Sequence, residues 1–190
     1  MHAYAIENLL PFLVPGAKVL DVGSGSGYLT AVMHHLVSPP SSAAAAASSS
    51  SSAAALADPS RRGYVLGIDH LTSLTDMSVS NLMKDSQTSD ALETKAIEIH
   101  CGDGRRGAPT SKLPEGGFDA IHVGAAAPTM PGSLIDQLKR PGRMFIPVGT
   151  REQAIYQVDK DADGKVTQTE LMAVRYVPLT SAEEQWPSRS

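Results

Sequence analysis

The stretch Val-Leu-Asp-Val-Gly-Ser-Gly-Ser-Gly-Tyr-Leu, residues 19–29, decides the fold of this chain. Val19, Leu20 and Val22 form a short apolar run, which is typical of a buried strand in a parallel sheet. The three glycines that follow give the backbone conformational freedom and leave space for a ligand. Residues 28–36 then carry the pattern of a helix. Strand, glycine turn and helix together open a nucleotide-binding α/β unit.

The spacing of the glycines distinguishes between cofactors. In the dinucleotide pattern G-x-G-x-x-G the third glycine follows the second by three positions, where this chain has Tyr28. A phosphate-binding P-loop needs a Lys-Ser or Lys-Thr pair, which is missing here. The pattern Asp21-x-Gly23-x-Gly25-x-Gly27 instead resembles motif I of S-adenosylmethionine-dependent methyltransferases. A plain strand-to-helix turn is the alternative, and the flanking elements favour the cofactor loop.

Length, composition and charge limit the possible classes of protein. The chain has 190 residues, which suits one domain over 1–190, and its net charge of −4 gives no general attraction to nucleic acid or anionic membranes. The N-terminus lacks a secretory pattern, and no apolar run reaches the ~20 residues of a membrane span. We therefore expect a cytoplasmic monomer without nucleic-acid or membrane partners. The single cysteine, Cys101, excludes an intramolecular disulfide, and we expect it to be a small buried residue.

A second feature of nucleotide-binding units is an acidic residue about 20 positions after the glycines, which binds ribose hydroxyls. Residues 38–57 are almost wholly Ser, Ala and Pro, which predicts a disordered low-complexity insert. Gly27 and Asp69 are 42 positions apart, and subtracting these 20 residues leaves 22. Asp69 ends a predicted strand over 64–69 and is therefore the candidate ribose ligand. Its alternative role is to cap the helix predicted over 71–84.

The remaining pattern alternates strands with helices, which predicts a mostly parallel sheet covered on both faces. Further strands are predicted over 97–101, 118–123 and 143–148, and helices over 3–13 and 131–139, the last ended by Pro141-Gly142. Residues 154–158 and 171–177 are predicted to form an antiparallel hairpin at the edge of the sheet. Ligands bind beyond the carboxyl ends of parallel strands, where Gly23, Asp69, Asp103 and Gly124 all fall.

The turn of this hairpin fits the calcium-loop pattern D-x-D-x-D-G-x5-E. The matching residues are Asp159, Asp161, Asp163, Gly164 and Glu170. That pattern needs helices on both sides, whereas here the flanks alternate as strands do, and Asp and Gly are ordinary turn residues. We therefore expect a hairpin turn and no metal site.

Several further stretches resemble the protein-L-isoaspartate (D-aspartate) O-methyltransferase family. They are Met-His-Ala-Tyr-Ala at 1–5, Asp-Val-Gly-Ser-Gly-Ser-Gly-Tyr-Leu-Thr at 21–30, Gly-Ile-Asp-His at 67–70, Gly-Asp-Gly-Arg at 102–105, Phe-Asp-Ala-Ile-His-Val-Gly-Ala-Ala-Ala at 118–127, Tyr-Val-Pro-Leu-Thr at 176–180 and Gln-Trp at 185–186. The resemblance implies a Rossmann-like methyltransferase fold. It also implies methyl transfer from S-adenosylmethionine to the α-carboxylate of L-isoaspartyl residues, and to D-aspartyl residues, in damaged proteins.

The resemblance also implies a set of cofactor-binding residues. From the glycine loop these are Gly23, Gly25 and Ser26, and from the later strand ends they are Asp69, His70, Gly102 and Asp103. His2, Thr180 and Gln185 are expected to close over the cofactor from the two chain ends. For those last three a purely structural role is the alternative. A carboxylate is already ionised at pH 7, so no catalytic base, metal or cysteine is needed. His34, His35, His100 and His122 are accordingly assigned to the surface or the core.

One part of the family pattern is missing from this sequence. In the family Thr-Ile-Ser-Ala-Pro-His runs into Met-His-Ala, and its hydroxyl residue lies beside the substrate carboxylate, so that residue falls upstream of Met1. The sequence therefore names no catalytic residue and predicts weakened cofactor binding. The alternative function is a non-catalytic S-adenosylmethionine-binding fragment. A hydride-transfer enzyme using NAD is a third hypothesis, which the glycine spacing disfavours.

Overall fold

The computed structural model describes residues 1–38 and 62–179. Within these residues seven strands form one sheet in the order β3-β2-β1-β4-β5-β6-β7. The strands are β1 (Lys18–Val22), β2 (Tyr64–Asp69), β3 (Ile97–Cys101), β4 (Phe118–Val123), β5 (Leu138–Val148), β6 (Gln153–Lys160) and β7 (Val166–Val174). The first five pair in parallel, and β6 and β7 are antiparallel. The predicted α/β architecture with a C-terminal antiparallel hairpin is confirmed.

Helices cover both faces of the sheet. The described α-helices are α1 (His2–Leu9), α2 (Tyr28–Val37), α3 (Thr72–Leu82), α4 (Ser86–Glu93) and α5 (Gly132–Gln137). Leu9 of α1 and Met33 of α2 share one apolar cluster with Val19 of β1. Leu134 of α5 belongs to a second cluster with the next residue of β1, Leu20. Successive strand residues therefore face opposite layers, as the period of a strand requires. Among the described helices none is long and apolar enough to cross a membrane.

Three elements before the hairpin differ from the prediction. The first helix gives way at Leu10 to a 3₁₀ turn, because Pro11 has no N–H to continue the α-helical ladder. The polar helix α4 was not predicted; its signal was the cap residue Asp85, which accepts a hydrogen bond from the Thr88 N–H at 3.0 Å. Strand β5 already begins at Leu138, so Pro141-Gly142 lies inside a strand and does not end a helix. Pairing of β5 with β4 is irregular just there, which is where a strand tolerates proline.

The hairpin turn has strands on both sides, as predicted, but the second strand, β7, covers Val166–Val174 and not 171–177, because it pairs with β6 from the turn onward. Asp159 belongs to β6 and Glu170 to β7. In the turn the Asp161 carboxylate accepts hydrogen bonds from the N–H groups of Asp163 and Lys165, at 3.0 and 2.8 Å. The Glu170 carboxylate accepts one from the Tyr156 hydroxyl. These side chains therefore serve the turn and the strand pairing.

The predicted insert at 38–57 lies, apart from Ser38, outside the described residues. Ser38 itself is hydrogen-bonded across the gap, since its hydroxyl accepts from the Gly63 N–H at 3.0 Å. Its carbonyl also accepts from the Gln87 side chain at 2.7 Å. The two flanks therefore meet at one point, and β2 enters the sheet directly beside β1.

A buried histidine in α2 makes the stability of this fold dependent on pH. His34 is 3% exposed, and its Nδ1 has no hydrogen-bond partner among the described residues. Burial lowers the pKa of His34 from 6.5 to about 4; the charge of His35 adds to this shift and that of Asp85 opposes it. The folded protein thus keeps this ring neutral where an unfolded chain protonates it.

Lowering the pH from 7 to 5 is expected to reduce the free energy of unfolding by about 2 kcal/mol through His34. The unfolded chain takes up a proton near pH 6.5 and folded His34 only near pH 4, so this contribution is complete above 6.5 and is lost as the pH falls towards 4. Urea unfolding at both pH values measures the loss. His34→Leu should remove this contribution, and His2→Gln, at an exposed position whose charge takes no part in the pKa shift of His34, should retain it. A His34→Leu protein with the same pH dependence as the wild type would contradict the assignment.

Candidate cofactor site

Four strand ends meet at one edge of the sheet. Strands β3, β2, β1 and β4 are neighbours, and all run in the same direction. Gly23, Asp69, Asp103 and Gly124 follow or end these strands, so the prediction that they share one edge is confirmed. The Gly124 N–H donates to the Val22 carbonyl at 2.8 Å, which joins the loops after β1 and β4 directly.

The glycine loop after β1 has two open positions and one packed position. Gly23, Gly25 and Gly27 have φ values of 78°, 53° and 80°. A β-carbon at Gly23 or Gly25 would find its nearest atom at 3.7 or 3.9 Å, but at Gly27 it would lie 2.5 Å from Ser78 Oγ. The first two glycines therefore leave space at the sheet edge, and the third lets α3 approach the loop.

Asp69 holds the glycine loop. Its Oδ2 accepts a hydrogen bond from the Gly25 N–H at 3.1 Å, and its Oδ1 accepts one from the Leu71 N–H at 3.1 Å. Asp69 is 8% exposed. A carboxylate has about four acceptor positions, so about two remain for hydroxyl groups of a ligand. Leu71 is the residue before α3, which means that Asp69 supports the start of that helix as well as the loop. The two alternatives drawn from the sequence are thus compatible.

The loop after β3 lies next to Asp69. The Gly102 N–H donates to the Asp69 carbonyl at 2.9 Å. Asp103 accepts hydrogen bonds from the Arg105 N–H and guanidinium at 3.0 and 2.9 Å. The Arg105 contacts hold the pKa of the Asp103 carboxyl below its usual value, although partial burial opposes them. Asp103 is therefore an ionised acceptor at neutral pH.

Three further predicted residues lie around the same edge. The carbonyl of exposed Ser26 accepts a hydrogen bond from Asn81 of α3 at 3.0 Å. His2 stacks on Tyr28, with ring centroids 5.5 Å apart, so the N-terminal helix reaches the start of α2. Half-buried His70 directly follows Asp69. Thr180 and Gln185 lie outside the described residues.

The expectation for Cys101 is wrong, because this residue is exposed. It is the last residue of β3, which lies at the edge of the sheet and becomes less buried towards its end. Its Sγ lies 3.4 Å from the Thr72 hydroxyl and 3.8 Å from the His70 carbonyl. Cys101 thus borders the candidate site at its β2–β3 side.

A buried polar network under the glycine loop was missed by sequence reasoning. Asp21 Oδ1 lies 2.8 Å from His122 Nδ1, and Asp21 Oδ2 accepts from the Thr30 hydroxyl at 2.6 Å. The exposures of Asp21, Thr30 and His122 are 1%, 0% and 5%, so His122 belongs to the core, one of the two assignments left open for it. The signal in the sequence was a polar residue inside each of two apolar strands. This network ties β1, β4 and α2 together where the loop begins.

Replacing Thr30 with valine is expected to lower the free energy of unfolding by about 1–3 kcal/mol. The two side chains have nearly the same shape, but valine leaves one oxygen of the buried Asp21 carboxylate without its donor. Urea unfolding measures the loss. Thr30→Ser keeps the hydroxyl and should retain most of the stability. Equal losses in the two variants would show that the methyl group, not the hydrogen bond, is responsible.

The residues at this edge fit a nucleoside cofactor. The two open glycines provide a close backbone approach, and Asp69 offers free acceptor positions beside them. Ionised Asp103 adds a further acceptor on the β3 side. The arrangement suits a ligand with paired hydroxyls and amino groups.

Comparison with known proteins agrees with this geometry. The sequence model of the protein-L-isoaspartate (D-aspartate) O-methyltransferase (PCMT) family matches residues 1–184. Protein-L-isoaspartate O-methyltransferase 1 of Arabidopsis thaliana is 41% identical over 189 residues, which is 97% of this chain and 69% of that protein. The protein-L-isoaspartate O-methyltransferase of Caenorhabditis elegans is 43% identical over 98% of this chain and 71% of its own length.

A solved structure agrees as well. It is a beta-aspartate methyltransferase (PCMT) from Plasmodium falciparum in complex with S-adenosyl-L-homocysteine. It superposes with a TM-score of 0.74 at 28% identity, over 95% of this chain and 73% of that one. By its sequence and its fold, the chain belongs to the protein-L-isoaspartate (D-aspartate) O-methyltransferase family.

Proposed function

We propose that this protein transfers a methyl group from S-adenosylmethionine to the free carboxylate of damaged aspartyl residues in proteins, which is the α-carboxylate of an L-isoaspartyl residue and the β-carboxylate of a D-aspartyl residue. The family description and the names of the relatives support the reaction. The S-adenosyl-L-homocysteine in the Plasmodium structure supports the cofactor. Esterification makes the carboxyl carbon a better electrophile: the following backbone nitrogen attacks it, methanol leaves, and hydrolysis of the resulting succinimide gives partly normal aspartate.

One observation carries the proposal. Asp69, deeply buried at the end of β2, binds the Gly25 N–H of the open glycine loop and still has acceptor positions to spare. A carboxylate held rigidly against a loop without side chains suits a ribose, whose two neighbouring hydroxyls both donate. It does not suit a phosphate, because two anions would face each other.

The order of the strands supports a proposed role for each of the individual residues. With the ribose at Asp69, the glycine loop with Gly23, Gly25 and Ser26 faces one end of the cofactor. The β3 side, with His70, Gly102 and Asp103, faces the other end, where ionised Asp103 suits the amino group of adenine. His2, Thr180 and Gln185 are proposed to close over the cofactor, and the stacking of His2 on Tyr28 supports the first of these.

The chemistry asks little of the protein beyond positioning. When bound, S-adenosylmethionine supplies a methyl group already activated by the sulfonium. The acceptor carboxylate is ionised at pH 7 because its pKa is near 4, so no side chain needs to remove a proton. The loops at the sheet edge orient the two partners and exclude water from the carboxylate.

The partners follow from the same reaction. We infer isoaspartyl-containing proteins and peptides as substrates. The net charge of −4 supports the absence of nucleic acid and anionic membranes as partners. A cytoplasmic location, a monomeric state and a single domain over 1–190 stay predictions.

The test is incubation of the chain with methyl-labelled S-adenosylmethionine and an isoaspartyl peptide. We expect labelled, base-labile methyl ester, and none with the same peptide containing normal aspartate. Calorimetry with S-adenosylhomocysteine runs in parallel. Binding without ester formation would favour the non-catalytic alternative, and the absence of both would overturn the proposal.

A further inference from the structure

A pocket lies at the amino ends of the parallel strands, opposite the candidate cofactor site. Its volume is about 440 Å³, within the usual range for small-molecule sites. Lys18 and Tyr64, the first residues of β1 and β2, line it together with the chain just before β3. Strands of five residues separate it from the glycine loop, a distance of roughly 16 Å. The pocket is therefore distinct from the cofactor site.

The pocket is strongly cationic although the whole chain is acidic. Lys18, Arg62, Lys95 and Lys112 line it, and Glu98 is the one carboxylate in its lining. Glu98 forms an ion pair with Lys112. Among the described residues no carboxylate lies within 4.0 Å of the charged nitrogens of Lys18, Arg62 or Lys95. The pocket thus holds an excess of three positive charges in a protein of net charge −4.

Contacts hold several of these groups in place. The Lys18 ammonium donates to the Arg62 carbonyl at 3.4 Å, which brings these two cationic residues together. The Tyr64 hydroxyl donates to Glu98 at 2.9 Å, so that carboxylate is occupied from two sides. The nearby Asp119 carboxylate binds the Lys18 backbone N–H and the Lys139 ammonium, at 2.8 and 2.6 Å. The Asp119 carboxylate is therefore paired with Lys139, which does not line the pocket.

The backbone conformation of Lys95 independently indicates that its side chain has a role in the pocket. Lys95 follows the end of α4 with a φ of 59°, and no other non-glycine residue in the described ranges has a positive φ. Glycine or asparagine is the usual residue at such a helix end, because a β-carbon is strained there. The chain thus keeps a long cationic side chain at a position that favours glycine, and that side chain lines the pocket.

We propose that this pocket binds a small phosphorylated molecule, with its phosphate held between Lys18, Arg62 and Lys95. Ser111 supplies a hydroxyl donor in the same lining. Leu113, Pro114 and the Tyr64 ring form a less polar side for the body of the ligand. This inference does not depend on the methyltransferase reaction.

The test is titration of the full chain with inorganic pyrophosphate and, separately, with adenosine monophosphate, by calorimetry at low ionic strength, with excess S-adenosylhomocysteine present throughout to fill the cofactor site. We expect saturable binding near one equivalent. Lys95→Gln and Lys18→Gln should each weaken it roughly fivefold or more, since each removes one of the three positive charges proposed to hold the phosphate. Tighter binding of the nucleotide would assign the less polar side to its nucleoside, and equal binding would assign recognition to phosphate alone; both support a phosphate site.

Lys95→Gly separates ligand binding from folding. Glycine relieves the left-handed backbone, so the midpoint of thermal unfolding should stay the same or rise while pyrophosphate affinity falls. Lys165→Gln, in the exposed hairpin turn, is the matched control and should leave affinity unchanged. Binding of S-adenosylhomocysteine should be unaffected in all of these variants. The proposal is overturned if pyrophosphate does not bind, or if Lys165→Gln weakens binding as much as Lys95→Gln does.

Discussion

Replacing Asp69 with alanine is expected to weaken S-adenosylhomocysteine binding by about 100-fold or more and to reduce methyl transfer accordingly. Two hydrogen bonds from hydroxyls to an ionised carboxylate are worth about 1.5–3 kcal/mol each, and every 1.4 kcal/mol changes affinity tenfold. The loss should exceed these contacts alone, because the Gly25 N–H also loses its acceptor and the loop its anchor.

Calorimetry with S-adenosylhomocysteine measures this effect, and far-ultraviolet circular dichroism confirms that the variant is folded. Asp76→Ala removes an exposed carboxylate from α3 and is the matched control, with unchanged affinity expected. Asp69→Asn keeps one acceptor oxygen without the charge and should fall between wild type and alanine. Wild-type affinity in folded Asp69→Ala would remove Asp69 from the cofactor site.

Much of the site was predictable because it rests on local patterns. The strands over 64–69, 97–101 and 118–123 have the predicted bounds, since short apolar runs between turn residues define buried strands well. Their parallel order then brings Asp69 to the glycine loop, even though 42 positions separate Asp69 from Gly27. Without the Ser/Ala stretch, Gly27 and Asp69 are 22 positions apart, which is the spacing expected of a nucleotide-binding unit. This spacing is set by the strand and helix between the two residues and not by the insert.

The features that sequence reasoning missed depend on pairing between distant segments. Asp21 and His122 are register partners in neighbouring strands, and only that register turns two isolated polar residues into one buried pair. Helix α4 has a polar sequence, and its apolar contacts are few, so no periodic pattern marked it. The early start of β5 likewise follows from pairing with β4, which overrides the Pro-Gly signal for a turn.

Substitutions in the glycine loop are expected to separate two roles of its glycines: Gly27 is required for stability, and Gly25 for cofactor binding. Gly27→Ala is expected to lower the free energy of unfolding by about 3–4 kcal/mol, of which about 1–2 come from the left-handed backbone and the rest from overpacking. The added β-carbon would lie 2.5 Å from Ser78 Oγ and 3.3 Å from the Ser78 carbonyl. Urea unfolding measures the loss. Gly132→Ala, where nothing lies within 4 Å of the new carbon, is the matched control and should be nearly neutral.

Gly25→Ala should cost less stability than Gly27→Ala but more cofactor affinity. Its β-carbon meets no protein atom closer than 3.9 Å, so stability should fall by about 1–2 kcal/mol through the backbone alone. That carbon would occupy the space proposed for the cofactor, so S-adenosylhomocysteine affinity should fall at least about tenfold, as a lost close contact of 1.4 kcal/mol implies.

Adding Ser78→Ala to Gly27→Ala removes the nearest clashing atom, which has no hydrogen-bond partner among the described residues, and should restore part of the stability. Equal destabilisation by Gly25→Ala and Gly27→Ala would contradict this division, because it would mean that φ, and not the approach of α3, sets the requirement for glycine.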